Sequence, residues 1–386
     1  MLRGRTPLGW LQLVHHKGRF AMAIAGVAFA GSLVFMQLGF LNMLLDTTVT
    51  IHKQLDAEVV VMSRDGRDMA NPGSFPRRRL LQALGVEGVT DAEALYLSSM
   101  SWIRPDDGET GNVLVMALRP DFSGFVDPDV ATRLPELTVP GSLLFDRRSR
   151  GDYAAFIARI AAGQRPQTEI AGKRVTVEGS FAFGSSFATE AIVIASGETL
   201  SLLDESHAPG SVSLGLVQVA PDADPEAVVA ALNALFADGE TLARTMEDFI
   251  AYSRARLADD SPVSIVFSFG AVMGLLVGTV IVVQILSTDV QDHLAEYATF
   301  KAMGFTTGRL LGVVYEQSAI LTVCGFLPGL ALSFACYELL SSQLAMDMTM
   351  TWERILLVLG LTVAMCALSG SLALRRVVAA DPAEVF

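Results

Sequence analysis

Four apolar runs constrain what this chain can become more than any other feature. They span about Phe20–Leu45, Val263–Ser287, Leu310–Tyr337 and Ile355–Leu374. A helix needs roughly 20 apolar residues to cross a bilayer. Lipid offers no water to the backbone, so such runs satisfy their own N–H and C=O groups as helices. Only Gln37, Asn42, Gln284, Glu316 and Gln317 interrupt them. The composition agrees: 18% of the 386 residues are charged, against roughly 25% in soluble domains. Mean hydropathy is +0.45. An ordinary soluble enzyme and a disordered chain are both excluded on these grounds.

The stretch between the first two runs is different. From Asp46 to Asp260 stand 19 Lys+Arg against 32 Asp+Glu, which accounts for the whole net charge of −13. An acidic block repels phosphates, so nucleic acid is not an expected partner. Its roughly 215 residues are ample for an independent core. Strands are expected at Glu58–Met62, Val113–Leu118, Val175–Val177, Ala191–Ile194 and Leu214–Val219. Helices are expected at Tyr153–Ala162 and Pro225–Phe236, the second opened by Asp224-Pro225. The block reads as α+β. Leu242, Met246, Phe249, Ile250 and Leu257 recur at helical spacing from Thr241 onward. That helix is either a core-facing element or a stalk running to the second apolar run with a kink at Pro262. Cys324, Cys336 and Cys366 all fall in the C-terminal apolar half, so the acidic block carries no disulfide.

Lys and Arg near the helix ends set the expected orientation. Arg3, Arg5, Lys17 and Arg19 precede the first run without an acid among them. This predicts a cytoplasmic N-terminus and an external acidic block. Parity then puts the Thr288–Arg309 loop inside, the Ser341–Arg354 loop outside and the C-terminus inside, where Arg375 and Arg376 stand. The basic leader and Ala28-Phe29-Ala30 also resemble a secretory signal. The apolar run continues to Leu45, however, beyond a signal core of roughly 7–15 residues. The expected layout is an N-terminal cytoplasmic or interfacial helix (1–19), a span (20–45) and an external α+β domain with its stalk helix (46–262). A second span (263–287), an inner loop (288–309), a third span (310–337), a short outer loop (338–354), a fourth span (355–374) and an inner tail (375–386) follow.

Catalytic constellations are missing from the sequence. The one Gly-Lys pair, Gly172-Lys173, lacks the upstream glycine and the following Ser/Thr of a P-loop. The five histidines are scattered without metal-ligand spacing, and no Gly-x-Ser-x-Gly elbow occurs. The chain is therefore expected to be no enzyme and to hold no cofactor or metal. What it carries is membrane architecture. Gly270, Gly274 and Gly278 repeat every four residues in the second run, and Gly325 and Gly329 do so in the third. Such spacing lets helix backbones approach closely in lipid. Among the intramembrane polar residues Gln37, Glu316 and Gln317, the carboxylate of Glu316 is a functional candidate or one that snorkels to the interface. The inner segment Asp289–Phe305 is amphipathic, with Gly304 placed to end a helix. It is either a docking knob or a helix lying on lipid.

Several of these residues carry a family resemblance. Glu296-Tyr-Ala-Thr-Phe-Lys-Ala-Met-Gly304 resembles the coupling segment of FtsX/MacB-type ABC transporter permeases, and Asp381-Pro-Ala-Glu384 resembles their C-terminus. Thr6-Pro-Leu-Gly-Trp-Leu-Gln-Leu13, Ala25–Ala30, Phe35–Phe40 and Asp292–Phe305 resemble the DevC branch of that superfamily. The resemblance implies a four-span, MacB-like permease with a large α+β extracytoplasmic domain between the first two spans. It implies a separate cytoplasmic P-loop ATPase that holds ATP and Mg and docks through Asp292, Leu294, Glu296, Tyr297, Lys301, Met303 and Gly304. It also implies a second copy of the permease, a periplasmic adaptor, a TolC-like outer-membrane channel, and a place in the lipid of the bacterial inner membrane. The implied function is export of a lipid-like or amphipathic substrate by mechanotransmission. FtsX-like activation of a periplasmic cell-wall hydrolase and lipoprotein extraction are the alternatives within the fold.

Overall fold

A computed structural model gives the structure of the chain. It describes residues 8–66, 69, 71–105, 107–122, 124–184, 189–204, 210–236, 239–293, 299, 303, 307–344 and 348–379. The chain divides into two compact units, Leu44–Ser261 and the remainder.

The remainder is helical. A short helix α1 (Leu8–His15) precedes α2 (Lys17–Val49). After the other unit come α9 (Pro262–Asp292), α10 (Thr307–Leu344) and α11 (Trp352–Ala379). Four of these, α2, α9, α10 and α11, are long and apolar enough to cross a membrane. They extend past the apolar runs because the helical hydrogen-bond ladder continues into polar flanks that need not lie in hydrocarbon. Helix α1 has two faces. Gly9 and Leu13 point inward, whereas Trp10 and Leu11 are exposed.

The unit Leu44–Ser261 is an α/β domain around a mixed sheet. Its strands are β1 (Val59–Ser63), β2 (Phe75–Pro76), β3 (Val89–Ile103), β4 (Thr110–Leu118), β5 (Ser142–Asp146), β6 (Gln167–Ile170), β7 (Lys173–Phe181), β8 (Ala191–Ser196), β9 (Ser211–Val212), β10 (Leu214–Val219) and β11 (Thr241–Thr245). Nine strands form one sheet in the order β11-β1-β10-β3-β4-β8-β5-β7-β6. The 15-residue β3 holds it together. Its first half pairs with β10, its second half with β4, and Trp102 and Ile103 pair with Ile170 and Glu169 of β6. Six strands from β3 to β6 thus close into a ring of pairings.

Strands β4, β5 and β8 are apolar without alternation because both of their faces are covered. Leu114, Met116, Leu144, Ile192 and Ile194 enter one core cluster. Their neighbours Val113, Val115, Leu143, Phe145, Ala191 and Val193 enter another, under helix α5 (Ala154–Ala161). There Trp102 stacks on Phe145 at 5.6 Å, and Phe145 meets Tyr153 and Phe156 edge-on. On the far side, β1, β10 and β11 are covered by α7 (Pro225–Leu235). The Asp224 side chain caps α7 by accepting from the Glu226 N–H, with Pro225 in the first turn, as the sequence predicts.

One expectation is corrected. Thr241–Thr245 is strand β11, paired with Ser63–Val59, and no helix begins at Thr241. Leu242 fits either period, and an open sheet edge beside β1 decides it. Helix α8 starts at Met246, capped by the Thr245 hydroxyl accepting from Asp248 N–H, and ends at Asp260. Ser261 is extended before Pro262, as pre-proline sterics favour, so α8 and α9 are separate helices.

Asp146 closes β5. Its carboxylate accepts from the N–H groups of Arg148, Phe183 and Gly184 at 2.8–3.2 Å. Burial outweighs these bonds and pushes its pKa up from the ordinary 3.8. An acid raised on folding stabilises fully below its unfolded pKa and loses that contribution as pH rises through the folded value. The stability of the native chain relative to Asp146→Asn is therefore expected to fall on going upward from about pH 4 and then level off. Urea unfolding in detergent, followed by near-UV circular dichroism at several pH values, measures it; parallel curves for the two proteins would contradict the assignment. In the same assay Phe145→Ala is expected to cost about 3–5 kcal/mol, the range for an emptied aromatic core site.

Candidate functional site

The segment that the resemblance assigns to ATPase docking starts in the last turn of α9. Asp292 lies there, exposed, in an ion pair with Arg19 of α2. Met303 is exposed, and its N–H donates to Thr299 O at 3.0 Å. Leu294, Glu296, Tyr297, Lys301 and Gly304 lie outside the described residues.

One turn before Asp292, α9 carries a buried acid that the sequence reading passed over. Asp289 is 6% exposed. Gln317 of α10, fully buried, donates from Nε2 to Asp289 Oδ2 at 2.7 Å and to Gln12 Oε1 of α1 at 3.2 Å. His293 Nδ1 lies 2.9 Å from the Asp289 carbonyl oxygen and 3.8 Å from Oδ1. A buried carboxylate demands a partner, and here Gln317 of α10 supplies one. Of the adjacent polar pair in the third span, Gln317 enters this cluster while Glu316 is half-buried. The missed signal was the helical spacing of Asp289 to His293, four residues apart on one face of α9.

Above this cluster the helices meet through glycine. A Cβ at Gly270 would meet the amide of Gln37 at 2.5–2.8 Å, and one at Gly274 would meet Leu33 at 2.6 Å. At Gly278 it would strike Met365 Sδ and Ala30 Cβ at 2.5–2.6 Å. All three thus line one seam between α9 and α2, with α11 joining at Gly278. Gly325 and Gly329 of α10 face the same helix: a Cβ would meet Val27 at 2.5 Å and the Ala28 carbonyl oxygen at 2.8 Å. Ser32 Oγ donates to the Gly329 carbonyl at 2.9 Å in that contact. Gln37 lies on the α9 seam and takes no part in the Asp289 cluster.

The Leu44–Ser261 unit has a cavity of about 560 Å³ lined in part by Arg77, Glu93, Tyr96, Arg119 and Glu198. Arg119 Nε pairs with Glu93 at 3.0 Å. Burial raises the Glu93 pKa against the pull of Arg119. Both signs of charge line the cavity, so its chemistry selects no single ligand class. Among the described residues no three His, Cys, Asp or Glu side chains are placed to share a metal ion. The described residues give packed helices and a polar cluster at the C-terminal end of α9.

The seam makes a direct prediction. Gly278→Val overpacks the α2/α9/α11 junction and is expected to destabilise by about 1–3 kcal/mol. Gly360→Ala, where a Cβ meets nothing within 4 Å, is expected to be neutral or stabilising by up to about 1 kcal/mol. Thermal unfolding in one detergent compares them, and equal midpoints would refute the packing role.

Comparison with known proteins adds three findings. No curated protein sequence matches the chain significantly. Two solved structures are similar over the domain. The extracellular domain of the noncanonic ABC-type transporter YknZ from Gram-positive bacteria is 15% identical, with 49% of this chain and 98% of that one covered at a TM-score of 0.33. The periplasmic region of MacB from Actinobacillus actinomycetemcomitans is 8% identical, with 53% and 95% covered at 0.34. Scores this low carry no argument for function. The sequence of α9 to α11 is more telling. Residues 268–382, from α9 through α11, match the family model described as FtsX-like permease C-terminal.

Proposed function

We propose that the chain is the permease subunit of a MacB/DevBCA-like tripartite ABC exporter. The match of residues 268–382 to an FtsX-like permease, on a chain without a P-loop, carries this reading. A permease without its own nucleotide motif needs a separate ATPase to supply ATP and Mg. The loop between α9 and α10 is the docking segment, with Asp292, Leu294, Glu296, Tyr297, Lys301, Met303 and Gly304 as contacts. The complex is placed in the bacterial inner membrane with both termini cytoplasmic and the α/β domain in the periplasm. Two permease copies, a periplasmic adaptor and a TolC-like outer channel complete the assembly. ATP binding moves the helices, the helices move the domains, and a lipid-like or amphipathic substrate is expelled from the periplasmic side.

Two experiments test this. Affinity purification from the native membranes in mild detergent is expected to recover a P-loop ATPase with a periplasmic adaptor. Recovery of an ATPase with a cell-wall hydrolase would favour FtsX-like signalling instead, and recovery of no ATPase would reject the coupling reading. In the reconstituted complex, reversing the charge of Glu296 or substituting Gly304 is expected to leave ATP hydrolysis while export is lost. A desolvated charge contact removed there costs about 2–5 kcal/mol, much less at a rim. Unchanged export in both variants would remove these residues from the docking site.

A further inference from the structure

The Asp289 cluster has a geometry that a merely structural hydrogen bond would not need. It joins three helices at the C-terminal end of α9. Asp289 stands in the last turn of that helix, four residues before His293. Its carboxylate touches α10 through Gln317, and the same Gln317 nitrogen touches α1 through Gln12. One amide group thus spends both of its hydrogens on two different helices. The contact of α1 with α10 is close. A Cβ at Gly9 would meet the Val313 carbonyl oxygen at 3.1 Å and the Gln317 backbone nitrogen at 3.2 Å. Leu13, one turn after Gly9, is buried in the apolar cluster of α2, α9, α10 and α11.

We infer that Asp289, Gln317 and Gln12 are positioning residues that pass displacement of the last turn of α9 to α1 and α10. The physical reason is the cost of an unpartnered buried carboxylate. If the last turn of α9 moves, Asp289 either carries Gln317 with it or loses its donor in a dry site. Gln317 cannot follow without dragging Gln12, because its two hydrogens are already committed. Arg19 of α2 also pairs with Asp292, but both side chains are exposed, so that contact adds little to the buried link. Helix α1 then acts as a second output of that turn, besides α10. Its use in transport rests on the coupling reading above; the mechanical link does not.

Spin labels at Leu11 and Leu327, both exposed, report the docking of α1 on α10 by pulsed electron paramagnetic resonance. The full chain is used in lipid nanodiscs, with the three cysteines replaced by alanine. Asp289 bonds to neither labelled position. Asp289→Leu is nevertheless expected to shift the distance distribution to longer values and to abolish its single narrow peak. Asp289→Asn, which still accepts from Gln317, is expected to keep it. Gln12→Leu leaves the Asp289–Gln317 bond intact and is expected to release α1 as Asp289→Leu does. It also keeps the test open if Asp289→Leu aggregates. A native distribution in Asp289→Leu, or in Gln12→Leu, would overturn the inference, as would an equal shift in Asp289→Asn. No ATPase is present, so failure of the transporter reading would leave this outcome untouched.

Discussion

Close backbone contact between α2 and its neighbours is the constraint on which the helical unit depends. Within lipid, apolar side chains gain nothing by leaving one apolar medium for another. Association therefore falls to van der Waals packing and interhelical hydrogen bonds. Gly270, Gly274 and Gly278 bring α9 against α2, and Gly325 and Gly329 bring α10 against the opposite stretch. Gly39 makes room for the Tyr337 hydroxyl, which donates to the Phe35 carbonyl. The chain-distant α9 and α10 are thus held by the first long helix. Without those glycines the serine and threonine bonds across the bundle, such as Ser32 to Gly329 and Ser369 to Thr279, would lose their geometry.

The other unit solves a different problem. Water surrounds it, and hydrophobic burial drives its folding. Long apolar strands are stable there only when both faces are covered. Helix α5 on one side and the Phe122, Phe125, Phe181 and Phe183 cluster on the other cover β4, β5 and β8. The sheet mixes parallel β4–β8 and β5–β7 pairs with antiparallel neighbours. Parallel pairs require crossovers, and the segments between those strands are long enough to return with helices on the faces.

The last turn of α9 is held from two sides. Asp292 is paired to α2 and Asp289 is bonded into α10 and on to α1. The buried bond between Asp289 and Gln317 restricts how that end moves, because a displacement there breaks a bond that water does not readily replace.

Much of this was legible in the residues. Apolar length gave four spans, since a continuous run of about 20 apolar residues satisfies its own backbone in lipid as a helix. Glycine spacing gave the candidate packing faces, and Asp224-Pro225 gave the start of α7, because capping is a local effect. The strands at 113–118, 191–194 and 214–219 were visible as short apolar runs. The tertiary structure alone decided the rest. Thr241–Thr245 has a pattern compatible with helix or strand, and only the vacant edge beside β1 made it a strand. The length of β3 was hidden because its burial pattern changes as its partners change from β10 to β4 and β6. Asp289 looked like a loop residue at the end of an apolar run. Its burial follows from Gln317 and Gln12, which lie 28 and 277 positions away in the chain, and no local pattern records a hydrogen bond across that distance.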